Sequence, residues 1–235
     1  MTAPQVDPHH PLDHPVWHAL TSRQRELAEG GLLARRYPPA IAPFAAMTDT
    51  SPQSFAALHA LLSGSDIAVL FTPDPVAPPA QFKVLLAKPG DQMTGIPSEA
   101  PVDGVEIATL GVDDVAAMME LTELTNPGPF ARRAHELGTF LGIRIDGKLV
   151  AMAGERMKPA NYTEITAVCV HPDFRGRGLA QALLSAVSRQ IVRRGEIPFL
   201  HVFSDNVSAI ALYRRQGMET RRRLCVTALG RADRA

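Results

Sequence analysis

The chain has no unbroken apolar run of about 18 residues, the length a membrane-spanning helix requires, and that excludes a spanning segment of this kind. Its only cysteines, Cys169 and Cys225, are too few for a disulfide framework or a zinc site, so a reducing cytoplasm is the expected setting and no metal is expected. The first residues, Met1-Thr2-Ala3-Pro4-Gln5-Val6-Asp7-Pro8, have neither a basic start nor an apolar stretch, so no signal peptide is expected. Basic residues are scarce at first: residues 1–130 hold 6 Lys and Arg against 15 Asp and Glu, whereas 131–235 hold 18 against 9. The two halves cancel, and a sequence pI near 7.1 argues against a nucleic-acid binder. A basic second half suits a polyanionic ligand, and an acidic first half could dock on it. Proline becomes rare after residue 101, with 15 of the 20 before that point. What remains is ordinary: 46% apolar and 20% charged residues fit a globular protein.

The first dozen residues, with His9-His10-Pro11, read as a disordered lead-in over 1–11. Helical character over 16–29 stops at Gly30-Gly31, and a short strand is expected within 40–47. Ser51-Pro52 opens a helix with Phe55, Leu58, His59 and Leu62 on one face. Strands follow over 67–71 and 82–87, and 95–104 is the expected boundary between an N-terminal lobe (12–100) and a second domain (101–235). The second domain begins with a strand over 105–110, a helix from Asp113 to Leu124, a rigid turn at Asn126–Pro129 and a short helix over 130–137. Strands over 139–145 and 148–157 are joined by Asp146-Gly147, a hairpin signal. A strand over 162–170, a helix over 179–194, a strand over 197–203, a helix over 207–215 and a strand over 219–228 complete it.

The chemistry is concentrated in Arg175-Gly176-Arg177-Gly178-Leu179-Ala180, which follows the strand ending Val168-Cys169-Val170 and opens a helix. Glycines expose backbone N–H groups, and a helix start adds unpaired donors and a positive dipole end. Such a concavity binds phosphate, and Arg175 and Arg177 reinforce it. A Walker loop would end in Gly-Lys-Ser/Thr, and a dinucleotide loop would have a third glycine where Gln181 stands. An ordinary surface turn holding two arginines is the competing reading of the loop alone.

The loop fits the pattern Gln/Arg-x-x-Gly-x-Gly/Ala of the GNAT superfamily of N-acetyltransferases, which this chain resembles over about 105–228. Val168-Cys169-Val170 resembles the strand whose edge binds the pantetheine arm. Asn206, Ala209 and Leu212-Tyr213 before Gly217-Met218 resemble a later motif, with Met in place of Phe. More narrowly, Pro198-Phe199-Leu200-His201-Val202 before Asn206 is similar to the glycine N-acyltransferase-like branch, in which the N-terminal half forms a smaller or degenerate acyltransferase-like lobe. The resemblance implies an α/β (α+β) GNAT fold with a mixed, mostly antiparallel central sheet flanked by helices. It also implies acetyl-CoA as acyl donor, no metal, and direct transfer to the amine of a small molecule, amino acid or peptide. It leaves monomer and homodimer both open, and no membrane or nucleic-acid partner is expected.

Cofactor contacts are expected from Val168, Cys169, Val170, Arg175, Gly176, Arg177, Gly178, Leu179, Ala180 and Asn206, although Asn206 equally suits the cap of its own helix. Backbone N–H groups at 168–170 are the oxyanion candidates. Glu164 is the expected general base, because period-two alternation puts it on one face with Thr166 and Val168 unless a bulge intervenes. Its alternative role is an ion pair with Arg156, and Glu155 is the runner-up base. Tyr213 is the expected acid, a phenol able to protonate the departing thiolate, with an aromatic core residue as the alternative. His201 is a secondary candidate, Cys169 reads as core, and Phe130, Arg132 and Arg133 lie where an acceptor would be read. Arg221 and Arg223 should face away from Arg222, which argues against a nucleic-acid stripe.

Overall fold

The computed structural model describes residues 10–98 and 105–232. Eight strands make one sheet. In spatial order they are β4 (Ile67–Thr72), β11 (Glu219–Arg231), β5 (Phe82–Thr94), β10 (Ile197–Phe203), β9 (Tyr162–Val170), β8 (Lys148–Glu155), β7 (Phe140–Ile145) and β6 (Ile107–Leu110). Every neighbouring pair is antiparallel except β9 with β10, so the sheet is mixed and mostly antiparallel, as expected. A small antiparallel sheet of β1 (Glu29–Gly30), β2 (Ala34–Arg36) and β3 (Ala45–Met47) stands beside it. The helices are α1 (Pro15–Thr21), α2 (Pro52–Leu61), α3 (Val115–Thr125), α4 (Leu179–Arg193) and α5 (Val207–Arg215).

Local chemistry explains most of these elements. Asp146 (φ 51°) and Gly147 (φ 79°) form the left-handed pair that turns β7 into β8. Ser51 caps α2 by accepting the Ser54 N–H, and Pro52 sits where no N–H is needed. In α4, Leu179, Leu183, Val187 and Ile191 recur at helical spacing and are buried against β7 to β10, forming the core of the acyltransferase half. On the opposite face, α3 packs on β7 to β9, and α1 with residues 37–44 packs on the β10, β11 and β4 side.

Several expected elements are shorter. The helix over 16–29 ends at Thr21, because the Thr21 and Ser22 hydroxyls take the carbonyls of Trp17 and His18. Gln24 then turns inward, accepts from the Tyr37 hydroxyl at 2.6 Å and donates to the Arg156 carbonyl at 2.8 Å. A tertiary polar contact has overridden local helical preference. The helix over 130–137 reduces to one 3-10 turn at Ala134–Leu137, since Phe130 packs edge-on to Phe140 and the Arg133 N–H donates to the Ala40 carbonyl. Of the expected lead-in, residues 1–9 lie outside the described residues, while His10 is fixed, accepting the Leu12 N–H at 3.1 Å and meeting Tyr162.

The larger difference concerns where the strands of the first half lie. The strand expected over 82–87 runs on to Thr94 despite Pro89, and it lies between β11 and β10. Pro89 is tolerated because pairing with β10 begins only at Gly90, so that edge requires no donor there. Part of the expected boundary, 99–104, lies outside the described residues, but residue 100 marks no break in the sheet: β5 from the first half completes the sheet of the second. The halves also pair electrostatically. Asp13 meets Arg221 at 2.7 Å and Arg222 at 2.9 Å, and Asp91 meets Arg223 at 3.3 Å. A bulge between Thr220 and Arg222 breaks the expected alternation, so the neighbouring arginines reach one carboxylate. Among the described residues no helix is long and apolar enough to cross a membrane.

Met93 on β5 is fully buried in the cluster beneath α4. Met93→Ala is therefore expected to destabilise the entire chain by about 2–5 kcal/mol. Urea denaturation followed by circular dichroism and by Trp17 fluorescence should show one coincident transition; two separate transitions would mean that the halves fold independently.

Candidate functional site

The site begins where two strands part. β9 and β10 pair in parallel only at Tyr162–Glu164 with Ile197–Phe199. Beyond that point β10 stays with β5, and β9 stays with β8. In β9 the His171 N–H bonds back to Val150, and Cys169 lies opposite Met152 on the β8 side. Antiparallel alternation then turns the N–H groups of Val168 and Val170 toward the open side of the fork. The bulge left open by the sequence is present: Ala167 has φ 50°, and residues 167 and 168 both lie opposite Ala153.

The open edge leads into the Arg/Gly loop. Gly176 (φ 77°) and Gly178 (φ 75°) adopt left-handed conformations that favour glycine, and Gly178 is the N-cap of α4 without a side-chain cap. The first-turn N–H groups of α4, from Leu179 and Ala180, therefore have no capping side chain, and the helix is long enough for its dipole to favour an anion. Arg175 and Arg177 are exposed: Arg175 lies 3.4 Å from the Val170 carbonyl, Arg177 lies 3.5 Å from the Asp173 carbonyl, and the Arg177 guanidinium sits 4.9 Å over the Phe174 ring. The donor set fits a pyrophosphate: uncapped backbone donors, two exposed guanidinium groups and no carboxylate of the loop's own.

Glu164 takes its alternative role, the ion pair with Arg156. The bulge puts Val168 on the α4 face with Ile165, whereas Glu164 points to the opposite face, where it is fully buried. Arg156 donates Nε and Nη2 to its two oxygens at 2.7 Å each, and His201 Nδ1 lies 2.7 Å from Oε1. Burial would raise its pKa, but Arg156 and then His201 outweigh that and hold it at about 2. A carboxylate so strongly ionised and doubly bound is a poor proton acceptor. Phe44 lies over the Arg156 guanidinium at 4.3 Å, and Phe71 stacks on His201 at 4.3 Å. His201 Nε2 faces the Gln92 amide at 3.1 Å, so this histidine belongs to a buried network. Glu155, the runner-up base, is also committed, at 2.7 Å to Arg194 and 2.8 Å to Lys158.

Tyr213 is buried on α5 at the fork, where burial, with a smaller push from neighbouring Cys169, raises its pKa to about 12. Its hydroxyl has no hydrogen-bond partner among the described residues. Cys169 packs against α3, and burial raises its pKa to about 11, so it belongs to the core and is no thiolate nucleophile. Asn206 caps α5, with Oδ1 accepting the Ala209 N–H at 3.2 Å and the Ser208 hydroxyl at 3.1 Å. Arg133 is paired with Glu136, and Arg132 is exposed. No local pattern marks Tyr37, Gln24 and Phe44 as the residues that close the Arg156 cluster, because all three come from the half without a motif.

Glu164→Gln leaves Arg156 buried without a counter-charge and is expected to lower stability by about 3–5 kcal/mol. Since the folded pKa of about 2 lies below the ordinary 4.5, the ion pair contributes above pH 4.5 and is lost as pH falls toward 2. Urea midpoints measured at pH 7 and pH 3 check both: the difference between Glu164→Gln and the unaltered chain should shrink at the lower pH.

Comparison with known proteins fits this geometry. The profile of the acetyltransferase (GNAT) family matches residues 112–218. The chain is 43% identical to a GNAT-family protein of known structure from Novosphingobium aromaticivorans, covering 95% of this chain and 99% of that one with a TM-score of 0.86. It is 38% identical over 92 residues to mycothiol acetyltransferase of Saccharomonospora viridis, 35% of this chain and 30% of that protein. It is 35% identical over 104 residues to N-alpha-acetyltransferase RimI of Mycobacterium tuberculosis, 40% of this chain and 63% of that protein. The matched stretch is thus under a third of the first and under two thirds of the second, and these matches do not single out the glycine N-acyltransferase-like branch. With the forked strands, the glycine-opened helix and a full-length relative in agreement, the chain belongs to the GNAT family of acetyltransferases.

Proposed function

We propose that the protein is an N-acetyltransferase that moves the acetyl group of acetyl-CoA directly to a primary amine of a small molecule, amino acid or peptide. The observation that carries this reading is the fork between β9 and β10 opening into the uncapped, glycine-led start of α4. It offers one continuous track, with phosphate donors at one end and free strand N–H groups at the other. The names of the partial relatives, one for mycothiol and one for N-alpha positions, favour an amine acceptor and leave its size open.

Acetyl-CoA supplies an acyl group already activated as a thioester. The first-turn N–H groups of α4, with Arg175 and Arg177, hold its pyrophosphate, and the edge of Val168 and Val170 lines the pantetheine arm. The amine nitrogen attacks the thioester carbon, and negative charge gathers on the carbonyl oxygen, within reach of those strand N–H groups. The C–S bond then breaks. Tyr213, kept protonated by burial, gives its proton to the departing sulfur and is reprotonated from solvent. With Glu164 and Glu155 both committed to cations, the amine's own proton passes to water. Glu164 acts by position: it ends the paired part of the fork and fixes Arg156 and His201 around it.

Release of CoA thiol with acetyl-CoA and a panel of amino acids, polyamines, aminoglycosides and peptides tests the reading. CoA binding without release for any acceptor would sink it in favour of a CoA-binding module without catalysis. With an acceptor found, Tyr213→Phe should slow release about 10²-fold while leaving CoA affinity unchanged; a rate near that of the unaltered enzyme would remove Tyr213 from its role. The pH profile of kcat/KM should rise to a pKa that moves with the acceptor amine, and one that stays fixed across acceptors would point to a protein base.

A further inference from the structure

The fork is not the only place where parallel strands diverge. Phe44, just before β3, makes a single parallel bridge to Val69 of β4, with the Val69 N–H donating to the Pro43 carbonyl at 2.7 Å. Past the bridge β3 and β4 pair no further among the described residues, and α2 connects them in sequence. Strand, helix and parallel strand with a cleft where the strands part is also the arrangement of β9, α4 and β10. Here the divergence encloses a cavity of about 360 Å³ between residues 45–50 and 70–76, with His14 and Val16 along one side. That volume lies within the range of small-molecule sites.

The two clefts differ in chemistry at the helix start. α4 opens through glycines and leaves its donors free. The start of α2 is already filled: Ser51 Oγ accepts the Ser54 N–H at 3.2 Å, and Asp49 Oδ1 accepts the Ser51 N–H at 2.9 Å and the Ser54 hydroxyl at 2.6 Å. A carboxylate stands where α4 leaves space for phosphate, so this cleft disfavours an anion. Ala46, Met47, Leu70 and Val76 give it apolar walls, Thr48, Thr50 and Thr72 add hydroxyls, and the charges lining it are the carboxylates of Asp49 and Asp74, without lysine or arginine. Asp74 has no ion-pair partner among the described residues. His14 is the other titratable group in the wall.

We propose that the cleft between β3 and β4 is a second binding site, selective for a small organic cation with an apolar body, such as an ammonium on an aryl or alkyl chain. The ammonium faces Asp49 and Asp74, and the chain lies on Met47, Leu70 and Val76. Phe71 lines the same cleft and stacks on His201, so an occupant rests one ring away from the network anchored on Glu164. The site is separate from the track for acetyl-CoA and does not depend on the acyl-transfer reading.

Calorimetric titration of the full chain, already saturated with CoA, tests it. The probes are benzyl-, phenethyl- and octylammonium, each beside its neutral alcohol and its carboxylate analogue. Saturable one-site binding is expected for at least one ammonium, weakened about threefold or more for its alcohol, with no binding of its carboxylate. Ala46→Leu, which fills the cleft, should abolish binding. Asp74→Asn, at an exposed loop position with no fold contact to lose, should weaken the ammonium about threefold and leave the alcohol unchanged. Should Ala46→Leu fail to fold, the charge series and Asp74→Asn still decide. Absence of binding across the ammonium series, equal binding of cation and carboxylate, or displacement of the ammonium by further CoA would each overturn the proposal.

Discussion

Arg156 donates two hydrogen bonds to Glu164 in a place where neither charge is well solvated, and the fork depends on that pair. Glu164 is the last residue of β9 to pair with β10, and its carboxylate also meets His201 of β10, so one charged group ties the two strands together just before they separate. Three residues later the bulge at Ala167 turns β9 so that Val168 lies on the α4 face. A strand pair meant to hold a ligand between its members must be firmly joined at one end and free at the other. A buried ion pair is suited to this because it has few alternative geometries: the guanidinium fork accepts one orientation of the carboxylate, and Phe44 and Tyr37 close the space around it.

The same network joins the two halves of the sequence. Gln24 and Tyr37 approach Arg156 from the first half, Gln92 approaches His201, and Asp13 and Asp91 neutralise the arginines at 221–223. The charge split along the chain thus has a structural counterpart: part of the acidic excess of one half is spent on cations of the other, while Arg175 and Arg177 are left exposed. Neutral overall charge and a locally basic surface coexist because the pairing is selective.

Patterns confined to neighbouring residues were legible in the sequence. Tyr162–Val170, Ile197–Phe203 and Val207–Arg215 carry clear periodicity or caps, and the Arg/Gly loop announces its own backbone geometry. What could not be read depends on partners distant in sequence. Nothing about Ala167 marks it as left-handed, since alanine has neither the freedom of glycine nor the side chain of asparagine. Period-two alternation therefore does not hold along β9 past that point, and the partners that hold Glu164 as an anion, Arg156 and His201, are not its neighbours in sequence. The place of β5 was hidden for the same reason: Phe82–Thr94 reads as a strand, but no local signal says which strands it will join.

That strand has a further consequence for how the molecule is made. β5 hydrogen-bonds to β10 and β11, whose residues follow it by more than a hundred positions, with Gln92 meeting His201 and Arg221. On a ribosome, β5 emerges while both of its neighbours are still unmade, and its apolar segment must wait with two open edges until β11 has been synthesised. Pairings so distant in sequence also carry a large loop-closure entropy, which slows the final step in a way that a sheet built from consecutive hairpins would avoid. Pro89, Gly90 and the flanking Lys83 and Lys88 on that strand thus act before the native state exists, making the waiting segment a poor template for any other chain.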